Sequence, residues 1–216
     1  GARVFPRALS DFLNGYYQDR GVRIIAGETA AGVSRRDGQL ILATSGGKEI
    51  LVDGIVAGLG IEPEFGLARQ AGLTIRSGIV VDKLLRTTCM EIFAAGDVAE
   101  FYNPSLDRSI RVEHEDNANT MGFIAGGNMA GAQEHYNHLP YFYSDLFDLG
   151  YEAVGLLDSR LETYAEWDEP NLKGRIYYLE GQRLRGMLMW NVWDKVEEAR
   201  RLISLVRFNP GKEAGT

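Results

Sequence analysis

Cysteine is almost missing from this chain. Cys89 is the one thiol among 216 residues, so no intramolecular disulfide framework, no CxxC redox pair and no zinc ribbon can be built from it. Positive charge is also short: 23 Lys and Arg stand against 30 Asp and Glu, a formal net charge of -7. A nucleic-acid partner gripped through phosphates is excluded by that balance. Apolar runs stay far below the roughly 20 residues a membrane-spanning helix needs. No basic stretch leading into an apolar one opens the sequence, so no secretory pattern is visible. Several chemical motifs are missing as well. There is no GxGxxG, no P-loop, no HExxH and no GxSxG. The nearest approach to a dinucleotide loop, Gly58-Leu59-Gly60, meets Pro63 where the third glycine belongs. Histidine is scarce too. His135 and His138 are three apart in a polar loop with no third ligand at a metal-binding spacing, and His114 stands apart, so no metal site is expected.

What is present reads as a globular chain of alternating strands and helices. Phe12, Leu13, Tyr16 and Tyr17 repeat at helical spacing, and Gly21 ends the run. VRIIAG (22–27) and GIVAGLG (54–60) have the composition of strands. QLILATSGGKEILVD predicts a hairpin turning at Gly46-Gly47. EFGLARQAGL predicts a short helix closed by Gly72, and GIVVD a short strand. The stretch EIFAAGDVAE (91–100) reads as a strand buried on both faces that ends on Gly96-Asp97. Open α/β sheets bind ligands at the carboxyl ends of their strands. Asp97 is therefore a candidate ligand residue or, equally in character for an Asp, a cap or turn former. A polar irregular loop is expected after it.

From Val112 to about Gly131 the pattern is helical. Ala118, Met121, Ile124, Ala125 and Met129 share a face, and Gly122 and Gly126 suggest a close neighbour. After about His135 aromatic residues accumulate. The runs YEAVGLL, RLETYAEW, GRIYYLE and RLRGMLMWNV then alternate as strands, with Gly181 in the last turn. A final helix is predicted with Val192, Val196, Ala199, Ile203 and Val206 on one face and Glu197 paired to Arg201. Strands followed by a helix suggest a small α+β domain.

The segment TTCMEIFAAGDVAE (87–100) resembles the second FAD-binding motif of the FAD-dependent pyridine nucleotide-disulfide oxidoreductases. Thr87, Ile92, Phe93, Ala94, Gly96 and Asp97 match that pattern in order. GIVAGLGIEP, LARQAGL and GIVVD fall where the family places its return from the NAD(P)H-binding insert. RVEHEDNANTMGFIAGGNMAG and HLPYFYSDLFDLGYEAVG are similar to the branch containing apoptosis-inducing factor and ferredoxin reductases. The resemblance covers nearly the whole chain.

It implies an α/β and α+β fold, part of a flavoprotein with two dinucleotide-binding domains. Residues 1–60 would close the NAD(P)H-binding domain, 61–135 would form the second half of the FAD-binding domain, and 136–216 a carboxyl-terminal interface domain. The implied cofactors are FAD and NAD(P)H. Gly96 and Asp97 would lie at the ribityl chain, and Glu113 and His114 on the flavin side of the helix start. Phe142 and Tyr143 would flank the isoalloxazine, where relatives often carry Trp in place of Tyr143. Glu62 and Pro63 would sit near the nicotinamide. The alternatives are an acid-rich helix start, aromatic core and a strand-to-helix turn, respectively. No residue is assigned as catalytic, and Cys89 is read as structural.

The implied activity is electron transfer from NAD(P)H through FAD to a redox protein, a quinone or oxygen. With both Gly-rich loops missing from these residues, the expectation is a fragment inactive by itself. Cysteines of the disulfide-reducing kind remain open, because the family carries them ahead of the matched region. A cytoplasmic setting, no membrane span and a homodimer complete the expectations. The alternative is a non-catalytic binding or dimerisation module.

Overall fold

The structure is a computed structural model and describes residues 2–205 and 207–208. Two compact units make up the chain: residues 11–62 form one, and residues 1–10 with 63–216 form the other.

Helix α1 (Arg7–Asp19) begins in the larger unit, at residues 7–10, and continues into the smaller one. Gly21, at φ +83°, follows it where a side chain would strain the backbone. VRIIAG is not a strand. Instead β1 (Ala30–Arg36), β2 (Gln39–Thr44) and β3 (Glu49–Val52) form an antiparallel sheet in that order. The predicted hairpin is β2–β3, closed by the Gly47 N–H on the Thr44 carbonyl at 2.9 Å. GIVAGLG also departs from expectation. Residues 54–65 carry no helix or strand, and Val56 and Leu59 are 99% and 87% exposed. Apolar composition makes a strand only where a neighbour pairs its N–H and C=O groups, and among the described residues none does.

Among the described residues, the larger unit holds two hydrophobic cores. Short helix α2 (Gly66–Gln70) ends near Gly72 at φ +68°, as the sequence implies. Strand β4 (Ile79–Val80) runs parallel to β5 (Ala99–Asn103), and β6 (Arg108–Ile110) is antiparallel to β5. The polar loop expected after Asp97 is thus a hairpin. The Asn103 side-chain oxygen accepts the N–H groups of Ser105 and Leu106 at 3.1 and 3.2 Å and shapes its turn. Helix α3 (Glu115–Met129) lays Met121, Ile124 and Ala125 on a core with Val81, Leu85, Ala99, Phe101 and Tyr136. Among the described residues, nothing packs closely on Gly122 or Gly126. A Cβ on Gly122 or Gly126 would meet nothing within 4 Å, and Met129 is 68% exposed.

The second core lies under a five-stranded antiparallel sheet. Its strands are β7 (Tyr141–Leu146), β8 (Leu149–Gly155), β9 (Glu162–Glu169), β10 (Lys173–Glu180) and β11 (Arg183–Trp190). The order is β7-β8-β11-β10-β9, and Gly181 turns the last hairpin at φ +60°. Helix α4 (Val196–Ile203) covers this sheet with Ala199, Leu202 and Ile203 buried and Val196 partly buried. Val192 precedes the helix and is buried; Val206 lies outside the described residues. Glu197 pairs with Arg200 rather than Arg201. The first residues pack against this sheet. Tyr178 donates its hydroxyl to the Val4 carbonyl at 2.9 Å, and Phe5 packs edge-on against Tyr151 and Trp190.

Candidate functional site

The run Ile92–Ala95 is not a regular strand. Phe93 makes one isolated bridge with Arg86. Gly96, at φ +73°, then breaks the extended path and opens a 3-10 turn, Gly96–Val98. Asp97 therefore precedes β5 instead of ending a strand. A left-handed residue cannot continue an extended ladder, and the motif's glycine sits at that break.

The turn packs against the amino end of α3. A Cβ on Gly96 would lie 3.5 Å from Cβ of Ala118. Arg111 ties the two together: its Nη1 donates to the Asp97 carbonyl at 2.9 Å and pairs with Glu113 Oε1 at 2.7 Å. Arg111 Nε is buried without a hydrogen-bond acceptor. Asp97 and Glu113 are exposed at the surface of this corner.

His114 is the N-cap of α3, with extended φ and ψ and no side-chain capping bond. The first-turn N–H groups, at the positive end of the helix dipole, are left to donate to an external oxygen. Instead of capping, the His114 ring stacks on Phe142 with centroids 4.4 Å apart and planes 9° apart. Burial holds its imidazole below the ordinary pKa, against the opposing pull of the carboxylates of Asp97, Glu113 and Asp116. Phe142 meets Tyr151 edge-on, and Tyr143 stands 59% exposed beside Tyr141. The His114–Phe142 pair lines an apolar cavity of about 390 Å³ whose walls include Val4, Leu139, Pro140 and Leu156. The same pair also lines a polar hollow of about 480 Å³ bordered by Glu115, Asp116, Asn119, Thr120, Tyr141 and Tyr143.

The structure thus brings Gly96, Asp97, Glu113, His114, Phe142 and Tyr143 to one corner of the larger unit. It does not do so for Glu62 and Pro63, which straddle the junction of the two units in a segment without helix or strand.

Sequence reasoning missed the groups behind this corner. Asp116 Oδ2 accepts the Tyr141 N–H at 3.1 Å, lies 2.6 Å from His138 Nε2 and pairs with Arg200 Nη2 at 3.3 Å. Arg200 also donates from Nε to the Leu139 carbonyl at 2.9 Å. Tyr136 donates to the buried Asn117 side chain at 2.8 Å. The signal available was two histidines in a polar loop, and it named neither Asp116 nor Arg200 as a partner. Among the described residues no group of three His, Cys, Asp or Glu could hold a metal ion.

Residues 1–122 match the family described as pyridine nucleotide-disulphide oxidoreductase. The chain belongs to this family. Residues 125–172 match the carboxyl-terminal region of the mitochondrion-associated apoptosis-inducing factor, so the branch read from the sequence is borne out. Apoptosis-inducing factor 1, mitochondrial, from Dictyostelium discoideum is 33% identical, over 93% of this chain and 41% of that protein. The ferredoxin–NAD(+) reductase component of the anthranilate 1,2-dioxygenase system of Burkholderia cepacia is 30% identical, over 94% of this chain and 51% of that protein. Among solved structures, a covalent putidaredoxin reductase–putidaredoxin complex matches with a TM-score of 0.83 and 25% identity, over 93% of this chain and 49% of that one.

The chain spans about half or less of the length of these relatives. Pyridine nucleotide-disulphide oxidoreductases and ferredoxin reductases use FAD and NAD(P)H. Among the described residues no helix is long and apolar enough to cross a membrane.

Proposed function

We propose that these residues form the ring and ribityl end of an FAD site in an enzyme that oxidises NAD(P)H and passes electrons to a redox protein, a quinone or oxygen. The observation that carries this reading is the uncapped amino end of α3 beside the Gly96–Asp97 turn and the His114–Phe142 stack. FAD, when bound, supplies hydride acceptance and stepwise electron release.

The chain's residues supply the surroundings. The α3 first-turn N–H groups favour negative charge developing near them. Asp97, exposed on a turn fixed by Arg111, offers a carboxylate to a hydroxyl-bearing chain. His114 and Phe142 present an aromatic edge, and Tyr143 a solvent-facing ring. Arg111 Nε is buried without an acceptor beside this corner, a polar group the described residues leave unsatisfied.

In this reading residues 1–60 end the NAD(P)H-binding domain, with Glu62 and Pro63 near the nicotinamide. Residues 61–135 belong to the FAD domain and 136–216 to the interface domain. Residues 1–10 stand on the carboxyl-terminal sheet, so the first region would reach across to the third. No Gly-rich pyrophosphate loop occurs in these residues, so they alone would hold FAD weakly. A cytoplasmic setting, an acceptor protein as partner and a homodimer belong to the same proposal.

The full-length protein tests it. It should purify with flavin absorbance and reduce a ferredoxin-type protein, a quinone or oxygen with NADH or NADPH. Asp97→Ala should weaken FAD binding by about 1.5–3 kcal/mol, roughly ten- to a hundredfold, the size of one charge-assisted hydrogen bond. A colourless protein that takes up no added FAD, or unchanged affinity after that substitution, would sink the proposal.

A further inference from the structure

The amino end of α3 carries more negative charge than a site for reducing a bound cofactor should tolerate. Glu115 and Asp116 stand in its first turn, and Glu113 just ahead of the N-cap His114. Arg111 answers Glu113. Asp116 differs from an ordinary first-turn acid, because its carboxylate does not cap its own helix. It is turned towards β7 and α4, where the Tyr141 N–H, His138 and Arg200 converge on the single oxygen Oδ2. All three side chains are about four-fifths buried. Arg200 is held from several directions: by the Leu139 carbonyl, by Glu197, and with its guanidinium carbon 5.7 Å from the centre of the Tyr141 ring. Its contact with Asp116 spans 84 positions of sequence and joins the helix of one core to the helix of the other.

We infer that Arg200 is a positioning residue for the flavin site: it neutralises Asp116 and fixes the start of α3 against β7. The inference rests on the proposal that the amino end of α3 faces the flavin. Without Arg200, the partly buried Asp116 carboxylate keeps only His138 and the Tyr141 N–H, and its less compensated charge repels electrons added to a nearby group; a partly buried cation attracts them. Pairing cancels both effects and leaves the helix N–H groups to set the local potential. Tyr141, whose backbone N–H donates to Asp116, is followed by the two aromatics of the site, so the same clasp holds Phe142 and Tyr143 in place.

The test is the midpoint potential of bound FAD in the full-length protein, with thermal unfolding measured on each variant. Arg200→Gln should lower the potential and Asp116→Asn should raise it, each by about a tenfold change in the reduction equilibrium, about 30 mV for a two-electron couple. The double variant should return towards wild type, and Arg200→Lys, which keeps the charge, should stay near it. A purely structural clasp would not give shifts of opposite sign that cancel. If Arg200→Gln does not fold, the Asp116→Asn and Arg200→Lys pair carries the test. Flavin-loaded variants with unchanged potentials, or with shifts of the same sign, would overturn this inference and leave the functional proposal standing. A wild-type protein that binds no flavin would overturn both.

Discussion

Single carboxylates show how strongly position governs chemistry in this chain. Glu100 is 4% exposed, yet its carboxyl is held below the ordinary range. Burial alone would raise it. The Ser77 hydroxyl at 2.7 Å and N–H at 2.8 Å, with Arg76 at 2.8 Å, outweigh that penalty. A lowered folded-state pKa means the carboxylate contributes stability above its unfolded pKa, about 4.3. That contribution is lost as pH falls through the lower folded value. Glu100→Gln should therefore cost about 1.5–3 kcal/mol at pH 7, and the gap from wild type should close below about pH 4. Denaturant midpoints at pH 7 and pH 3 check this, and an equal gap at both would refute it. Asp97, by contrast, is exposed, and its value lies in what it offers outward rather than in folding.

At the scale of elements, two devices build the site. Helix α3 is fastened at each end by a buried asparagine: Asn117 bonds the Val112 carbonyl and receives Tyr136, while Asn128 bridges the Leu84 and Glu134 carbonyls. The amino end is thereby fixed without a capping side chain. In the carboxyl-terminal sheet, Gly186 of β11 faces Gly155 of β8 in register. A Cβ on Gly186 would lie 2.1 Å from the Leu156 carbonyl oxygen, a backbone atom that cannot swing aside. Gly186→Ala should cost about 3 kcal/mol, read as a lower denaturant midpoint at unchanged slope. A loss under about 0.5 kcal/mol, the size of a neutral surface change, would show that the β8 end yields.

At the scale of the molecule, the first residues brace the last domain. Phe5 is 7% exposed and edge-packed on Tyr151 and Trp190, the latter fully buried. Phe5→Ala should cost about 3–5 kcal/mol, the range for an aromatic deleted from a core. A chemical denaturation curve like that of wild type would mean the segment does not dock. Tyr151 in turn meets Phe142 edge-on, so Phe5 stands two rings away from the candidate site. Loosening it is expected to disturb that site as well as stability.

The sequence alone determined what neighbouring residues can enforce. The β2–β3 and β10–β11 hairpins and the apolar faces of α3 and α4 follow from short-range pattern and glycine placement. Those features depend on backbone angles and side-chain direction over a few residues. Even there, local reading failed where pairing decides. The Ile92–Ala95 and Val56–Leu59 runs have the composition of strands but lack a ladder. The polar residues 101–110 gained one, because Asn103 closes their turn and Phe101 and Leu106 are buried. Only tertiary structure decided the clasp of Asp116, His138 and Arg200, the docking of Phe5 and the stack of His114 on Phe142. These contacts join residues far apart in sequence. They are chosen by how whole helices and sheets bury their apolar faces and satisfy polar groups left behind, a selection that no local pattern records.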